Sequence, residues 1–285
     1  MTREEEQHLA ISEEGFLAPC IDDCVGAARD RYADWFALTH DANRAAQILL
    51  QAAIGSLAGH PLASAYVVAT RLFVRTLSNF QGAVLLAERG LPVEAQTLVR
   101  SCFEASLLIG ALKDAKAEVL DHLDAGGRQG GLGRLKVLKT MVEAEGPDQA
   151  AYLAQVHAGM AALEATDQRK AISLKELADQ TQLLAPYLNF RQLSSNAAHA
   201  SFSSMHAQLS IEGGDVTGLV LGPDLDRLPA TLALACQALI YAAVFLSPVV
   251  GEFSQDAMFV TLHERLARLC DTLPGTEVLV LVPKD

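Results

Sequence analysis

The sequence predicts an all-α protein built around one large helical bundle. Hydrophobic residues make up 51% of the 285 residues and aromatic residues only 6%, so the core consists mainly of Ala, Leu and Val. Such residues suit closely packed helices better than a pleated sheet. Apolar positions also recur with the helical period through most of the chain. We therefore expect a single helical domain over residues 1–285, with its core at about 61–253.

The charge balance and the cysteines limit the possible functions. With 34 acidic and 22 basic side chains, the formal charge is -12, which favours solubility and argues against an extended nucleic-acid surface. A small basic pocket for an anionic ligand stays possible. The cysteines lack metal-ligand spacing, so we expect free thiols in a reducing cytoplasm and predict no metal and no cofactor. They are Cys20, Cys24, Cys102, Cys236 and Cys270.

The first half of the chain divides into a leader and four predicted helices. Residues 1–15 form an acidic leader without the apolar segment of a signal peptide. A first helix is predicted over 21–38, and a second from the N-cap residue Asp41 to about residue 60. The third covers 62–88. The fourth runs from Pro92 to about residue 117, and the short linker before it predicts an antiparallel pair.

The middle of the chain is less regular. Residues 126–133 are rich in glycine, but no strand precedes them and no Gly-Lys-Ser/Thr follows, so they do not form a phosphate-binding loop. We expect a flexible connection there. A helix follows over 147–165, then a break at 166–171. Ser173 is predicted to cap the next helix, with Glu176 at the capping-box spacing.

The last part contains one long apolar segment. A helix over about 183–210 is followed by a small β-hairpin near 211–221 and by a helix over about 226–253. Residues 228–251 carry no charge and are long enough to span a bilayer. Their alanine content and Gln237 favour the central helix of a bundle, and a membrane-attached protein is the alternative. A helix over 255–271 and a strand over 277–282 complete the prediction.

One candidate site lies on the third and fourth predicted helices. Arg100 and Glu104 are four residues apart, so they share a face, and that face continues into apolar positions. Buried charges need partners, so the two form either a structural ion pair or half of a polar pocket. Arg71 and Arg75 repeat this spacing. Glu104 is a candidate partner for one of them, which leaves the other for an anionic ligand or for solvent.

The second candidate site follows residue 183. Tyr187, Arg191 and Ser194 lie beside a stripe of small polar residues that includes Ser195 and His199. His199 is either a structural residue or a ligand contact. Metal binding is disfavoured because the next histidine of the stripe lies seven residues on, roughly 10.5 Å along the helix. Nucleophilic catalysis by a serine lacks both the usual sharp turn and an orienting acid.

These two helices resemble a bacterial helical family of unknown function. That family shows an Arg-x-x-x-Glu helix, here Arg100 and Glu104, and a later Tyr…Leu-Ser…His-x-Ser helix, here within residues 187–201. The family is similar to HEPN-type four-helix bundles, which include RNA-cleaving toxins and antiphage components. The resemblance covers about residues 61–253. It implies a HEPN-like core and makes Arg100, Glu104, Ser195 and His199 the characteristic polar residues.

The resemblance does not extend to the ribonuclease motif. HEPN ribonucleases show Arg-x4–6-His, whereas Ser194 stands five residues before His199 and the nearest upstream arginine, Arg191, stands eight before it. We therefore expect a homodimeric module that acts in binding or regulation, or in defence, with a small anionic ligand or a protein as its partner. The alternative is an RNA-directed enzyme in which His199 is the general acid/base and Arg100 or Arg191 stabilises phosphate charge.

Overall fold

The computed structural model describes residues 2–165, 172–198, 209–219, 222–250 and 256–273. These residues form eleven α-helices and one two-stranded hairpin, which confirms the all-α class. The helices are α1 (Arg3–Glu14), α2 (Ile21–Arg31), α3 (Ala33–Gly55), α4 (Ala65–Ala87), α5 (Pro92–Ala111), α6 (Lys116–Glu145), α7 (Ala150–Glu164), α8 (Leu174–Gln180), α9 (Leu184–Leu193), α10 (Leu228–Val250) and α11 (Asp256–Cys270). The strands are β1 (Leu209–Glu212) and β2 (Asp215–Leu219).

The chain divides into two compact units. The first contains residues 1–113 and 183–285, and the second contains residues 114–182. Helices α1 to α5 and α9 to α11 belong to the first unit, which holds all the described candidate site residues. Helices α6 to α8 belong to the second unit. The single domain predicted over residues 1–285 stays a prediction.

Local chemistry explains where several helices begin. The Ser64 side chain accepts a hydrogen bond from the Val67 amide at the start of α4, and Pro92 opens α5. The predicted capping box of Ser173 and Glu176 is present at the start of α8. The acidic leader contains α1, whose first turn is closed by a second capping box between Thr2 and Glu5.

Helix α5 lies between three neighbours in the first unit. Helix α4 runs antiparallel to it, since the Cys102 thiol lies 3.4 Å from the Thr76 carbonyl oxygen and a Cβ at Gly82 would lie 2.9 Å from Leu98. The predicted antiparallel pair is therefore present. Helix α9 also packs on α5, as does α10. A Cβ at Gly110 would lie 2.7 Å from Leu183, so glycine permits this close approach.

Helix α10 is the central helix of the first unit. It packs against α3, α4, α5 and α11, and nearly every side chain from Leu228 to Leu246 is buried or half-buried. Among the described residues it is the one helix long and apolar enough to cross a membrane, and 78% of its most apolar stretch is buried inside the protein. This burial fits the predicted bundle core and is consistent with a soluble protein.

The predicted hairpin is present but begins earlier than expected. Strand β1 pairs antiparallel with β2, with Glu212 opposite Asp215. Gly213 and Gly214 connect the strands with φ of +61° and +96°, which only glycine adopts readily at two successive positions. Leu209 and Ser210, predicted to end a helix, are therefore strand residues.

The boundary between the first two predicted helices was wrong. The break falls at Tyr32, whose φ is −120° and ψ is 36°, and not between Leu38 and Asp41. Helix α3 continues through Asp41 without interruption. Asp41 therefore does not cap a helix, and its side chain makes a tertiary contact. Its carboxylate accepts a hydrogen bond from Arg265 Nη1 of α11 at 2.6 Å.

The glycine-rich segment was also predicted incorrectly. Residues 126–133 lie inside α6 and are not a flexible connection. Glycine lets α6 approach α7 closely, since a Cβ at Gly131 would lie 3.0 Å from Leu163 and one at Gly159 would lie 3.3 Å from Leu135. The predicted break at 166–171 and the predicted strand at 277–282 lie outside the described residues.

The helical state of the glycine-rich segment leads to a stability prediction. Nothing lies within 4 Å of a Cβ added at Gly127. Because alanine favours the helix over glycine, Gly127→Ala should raise the free energy of unfolding, measured by urea denaturation, by about 1 kcal/mol. Gly131→Ala is the matched control within the same helix and should gain less, because its Cβ meets Leu163. No gain from Gly127→Ala would contradict a helix at this position.

Candidate functional site

Arg100 is the centre of a polar junction between α5 and α9. Its Nε donates to Ser194 Oγ at 2.9 Å, and its Nη1 donates to Glu104 Oε2 at 3.3 Å. The guanidinium carbon lies 4.5 Å from the centroid of the Phe190 ring, so the cation also stacks on an aromatic face. The side chains of Arg100 and Glu104 are 23% and 34% exposed. The partial burial predicted for this pair is therefore confirmed.

Ser194 connects this junction to the backbone of α9. Its side chain is buried, donates a hydrogen bond to the Phe190 carbonyl oxygen at 2.8 Å and accepts one from Arg100. The hydroxyl thus uses its hydrogen and one lone pair in fixed directions. Nearby, the Thr97 hydroxyl lies 3.4 Å from the carbonyl oxygen of Ala197. Arg100 is therefore in contact with Ser194, Glu104 and the Phe190 ring, and the Ser194 hydroxyl is itself held by the Phe190 carbonyl oxygen.

A π-helical turn, Ser194–Ala198, continues α9 at this junction. A π turn contains more residues than an α turn, so the α-helical period cannot be extended through it. The predicted stripe of small polar residues passes through this turn and, from His199 onward, stays a prediction. Single π turns inside helices occur frequently at functional sites. His199 itself lies outside the described residues.

The other predicted side chains of the second site occupy the outer part of α9. Arg191 and Ser195 are exposed, and the Ser195 hydroxyl lies 3.3 Å from the Arg191 carbonyl oxygen. Tyr187 is half-buried, with its ring centroid 6.2 Å from that of Phe190. The structure therefore brings Ser194 to Arg100 and places Arg191 and Ser195 on the outward face of the same helix.

Arg71 and Arg75 do not join this junction. Both are exposed on α4, and Glu104 forms its ion pair with Arg100 of its own helix. Leu98 and Cys102 face α4, and a helix turns by about 200° over two residues, so Arg100 and Glu104 point to another side of α5. The predicted pairing of Glu104 with an α4 arginine is absent from the described part of the chain.

A buried polar chain beside the junction was not predicted from the sequence. Asn189 of α9 donates to Gln237 of α10 at 3.0 Å, and Gln237 Nε2 lies 3.4 Å from the Tyr241 hydroxyl oxygen. Burial raises the pKa of Tyr241 to about 12, and the hydrogen bond with Gln237 lowers it slightly. The signal was a glutamine in the middle of an uncharged helix, because a buried amide needs a partner on a neighbouring element.

The described residues limit which reactions this region can perform. They contain no cluster of three or more metal-ligand side chains, and burial raises the pKa of Cys102 to about 12, so its thiol is not a nucleophile at neutral pH. Arg100 Nη2 makes no hydrogen bond within the described part of the chain, and the guanidinium is partly exposed. The junction can therefore present a pre-oriented cation to an anionic group.

The buried amide pair should contribute measurably to stability. Asn189→Leu removes a donor from buried Gln237 and should lower the free energy of unfolding by about 1–3 kcal/mol in urea denaturation. Adding Gln237→Leu should recover part of that loss, because the amide oxygen that lost its Asn189 donor is then removed as well. Thr261→Ala, at an exposed residue of α11, is the control and should change little. Additive losses in the double variant would argue against the pairing.

Comparison with known proteins identifies a family over the same region. The family described as "Family of unknown function (DUF5677)" matches residues 66–216, which extend from α4 through the Arg100 junction to β2. No curated protein and no solved structure matches the chain. The matched residues make up more than half of the sequence and contain both candidate sites. The chain therefore belongs to this family of unknown function.

Proposed function

We propose that this protein is a HEPN-like binding module that recognises an anionic group with Arg100. The observation that carries the proposal is the geometry of that guanidinium. Ser194, Glu104 and the Phe190 ring hold it at 2.9 Å, 3.3 Å and 4.5 Å, while 23% of the side chain stays exposed. A cation held in this way loses little conformational entropy when a ligand binds. The π turn beside Arg100 is a second argument for the proposal, because such turns occur frequently at functional sites.

Charge also favours a small ligand group over an extended polyanion. The protein carries a net charge of -12, so a nucleic-acid backbone would be repelled outside the immediate surroundings of Arg100. Glu104 lowers the positive charge of the site and restricts access to one side of the guanidinium. A single phosphate or carboxylate group fits these conditions. Because HEPN-like bundles include antiphage components, regulation in bacterial defence is the process that we propose.

The binding proposal is tested with inorganic phosphate as the probe. Calorimetric titration of the full chain should show binding that Arg100→Lys weakens at least about tenfold, because lysine retains the charge but cannot donate to Ser194 and Glu104 together. The control is Arg89→Lys, at an arginine that is also partly exposed and paired with an acid, Asp22. Equal effects in the two variants, or no binding by the wild-type protein, would contradict the proposal.

The RNA-directed enzyme is the alternative, and the same preparation tests it. Arg100 and Glu104 converge, and the enzyme further requires His199 as general acid/base. Under the binding proposal, RNA incubated with the protein stays intact on a denaturing gel. RNA cleavage by the wild-type protein that is lost in both His199→Ala and Arg100→Lys would contradict the binding proposal and support the enzyme.

We also propose that the outer face of α9 forms a homodimer. Leu184 and Leu188 are 45% and 49% exposed, and Arg191 and Ser195 continue the same face along the helix. Exposed leucines at helical spacing, flanked by polar residues, suit packing against a second helix. A second copy of α9 supplies a complementary surface under two-fold symmetry.

The dimer proposal predicts a change in mass on a single substitution. Leu188→Glu should convert the dimer into a monomer in size-exclusion chromatography with light scattering, because the two new charges would face each other in the symmetric interface. Leu17→Glu, at a residue 91% exposed in the same unit, is the control and should leave the dimer intact. A monomeric wild-type protein would contradict the proposal.

A further inference from the structure

A cleft lies at the end of α4 that is remote from Arg71 and Arg75. It has a volume of about 310 Å³ and is formed by side chains of α2, α3 and the last two turns of α4. This volume lies at the lower limit of small-ligand sites, so it suits a ring system of nucleobase size and not a large cofactor. The cleft shares no residue with the Arg100 junction and is independent of the function proposed above.

Glu88 is the buried acid of this cleft. Its side chain is 7% exposed, and its Oε2 accepts hydrogen bonds from Arg29 Nε at 3.0 Å and Arg29 Nη2 at 2.7 Å. Within the described residues its Oε1 accepts none. This oxygen is not among the buried unpaired atoms of the described residues, so it is accessible and can accept a hydrogen bond from a further donor. The cleft is the space from which such a donor can reach it.

A side-chain amide pair lines the same cleft. Gln81 Nε2 donates to Asn43 Oδ1 at 2.9 Å. This single bond leaves the Gln81 carbonyl oxygen and the Asn43 amino group without partners among the described residues, so the pair offers one acceptor and one donor. Both residues are half-buried, which limits how well water can replace a ligand at these groups.

The remaining surface decides the character of the ligand. Phe80, Val84 and Leu85 provide an apolar wall, and Thr39 and His40 complete the lining. Arg29 and Glu88 carry opposite charges and form an ion pair. The Glu88 carboxylate would repel an anionic ligand, and the Arg29 guanidinium would repel a cationic one. We infer that the cleft binds an uncharged cyclic amide of nucleobase size, with its N–H directed to Glu88 Oε1 and its carbonyl to the Asn43 amino group.

The inference is tested by calorimetric titration of the full chain with uridine and inosine. Each carries a cyclic amide, and the matched 3-methyluridine and 1-methylinosine lack its N–H. At least one parent nucleoside should bind, and its methylated form should bind at least about tenfold more weakly, which corresponds to the loss of a hydrogen bond to a charged acceptor. Failure of both parent nucleosides to bind, or equal binding of the methylated forms, overturns the inference.

Two variants locate the binding in this cleft. Leu85 is 56% exposed at its edge, so Leu85→Trp should fill the cleft and abolish binding without changing the thermal unfolding temperature. Val74→Trp is the matched control, at a residue 42% exposed on the same side of α4 about three turns away, and should bind normally. Glu88→Gln should also weaken binding in protein that remains folded. Unchanged binding in Leu85→Trp overturns the inference.

Discussion

The architecture of the first unit depends on hydrogen-bonding the polar side chains of α5, a helix that three others cover. Helix α5 is packed by α4, α9 and α10, and it carries Gln96 and Arg100 on sides that those neighbours cover. Gln96 donates to Thr231 of α10 at 3.1 Å, and Arg100 donates to Ser194 beside α9. Removing a partner from a buried hydrogen-bonding group costs about 1–3 kcal/mol. These bonds therefore select one rotation of α5 among its neighbours.

Small residues make that arrangement possible at the other contacts of α5. A Cβ at Gly110 would lie 2.7 Å from the Leu183 side chain and 2.9 Å from the Phe245 ring, so any larger residue would force these side chains to move. Gly90 has a similar role before α5 begins, with φ of +79° and a hydrogen bond from the Asp224 amide to its carbonyl oxygen at 3.0 Å. Close approach and polar pairing together position α9, and with it the π turn.

The Arg100 side chain is held by hydrogen bonds and is also partly exposed. An arginine that only stabilised the bundle would be fully enclosed, whereas Arg100 makes hydrogen bonds to Ser194 and Glu104 while 23% of its side chain is exposed. Arg29 resembles it in this respect, since it binds buried Glu88 while 52% of its side chain is exposed. In both places a buried partner orients an arginine at the border of solvent. This is the arrangement in which a charged side chain can recognise a ligand at low entropic cost.

Composition and the helical period determined the all-α class, the burial of α10, the antiparallel pair of α4 and α5, and the shared face of Arg100 and Glu104. These properties depend on local spacing, which the sequence contains. Tertiary packing alone decided that Asp41 lies inside α3 to meet Arg265, that the glycines of α6 are helical, and that Ser194 and not Glu104 fixes the Arg100 Nε. The physical reason is that the conformation at a helix break, at a glycine or at a buried polar group depends on the residues that it contacts, and these residues are remote in sequence.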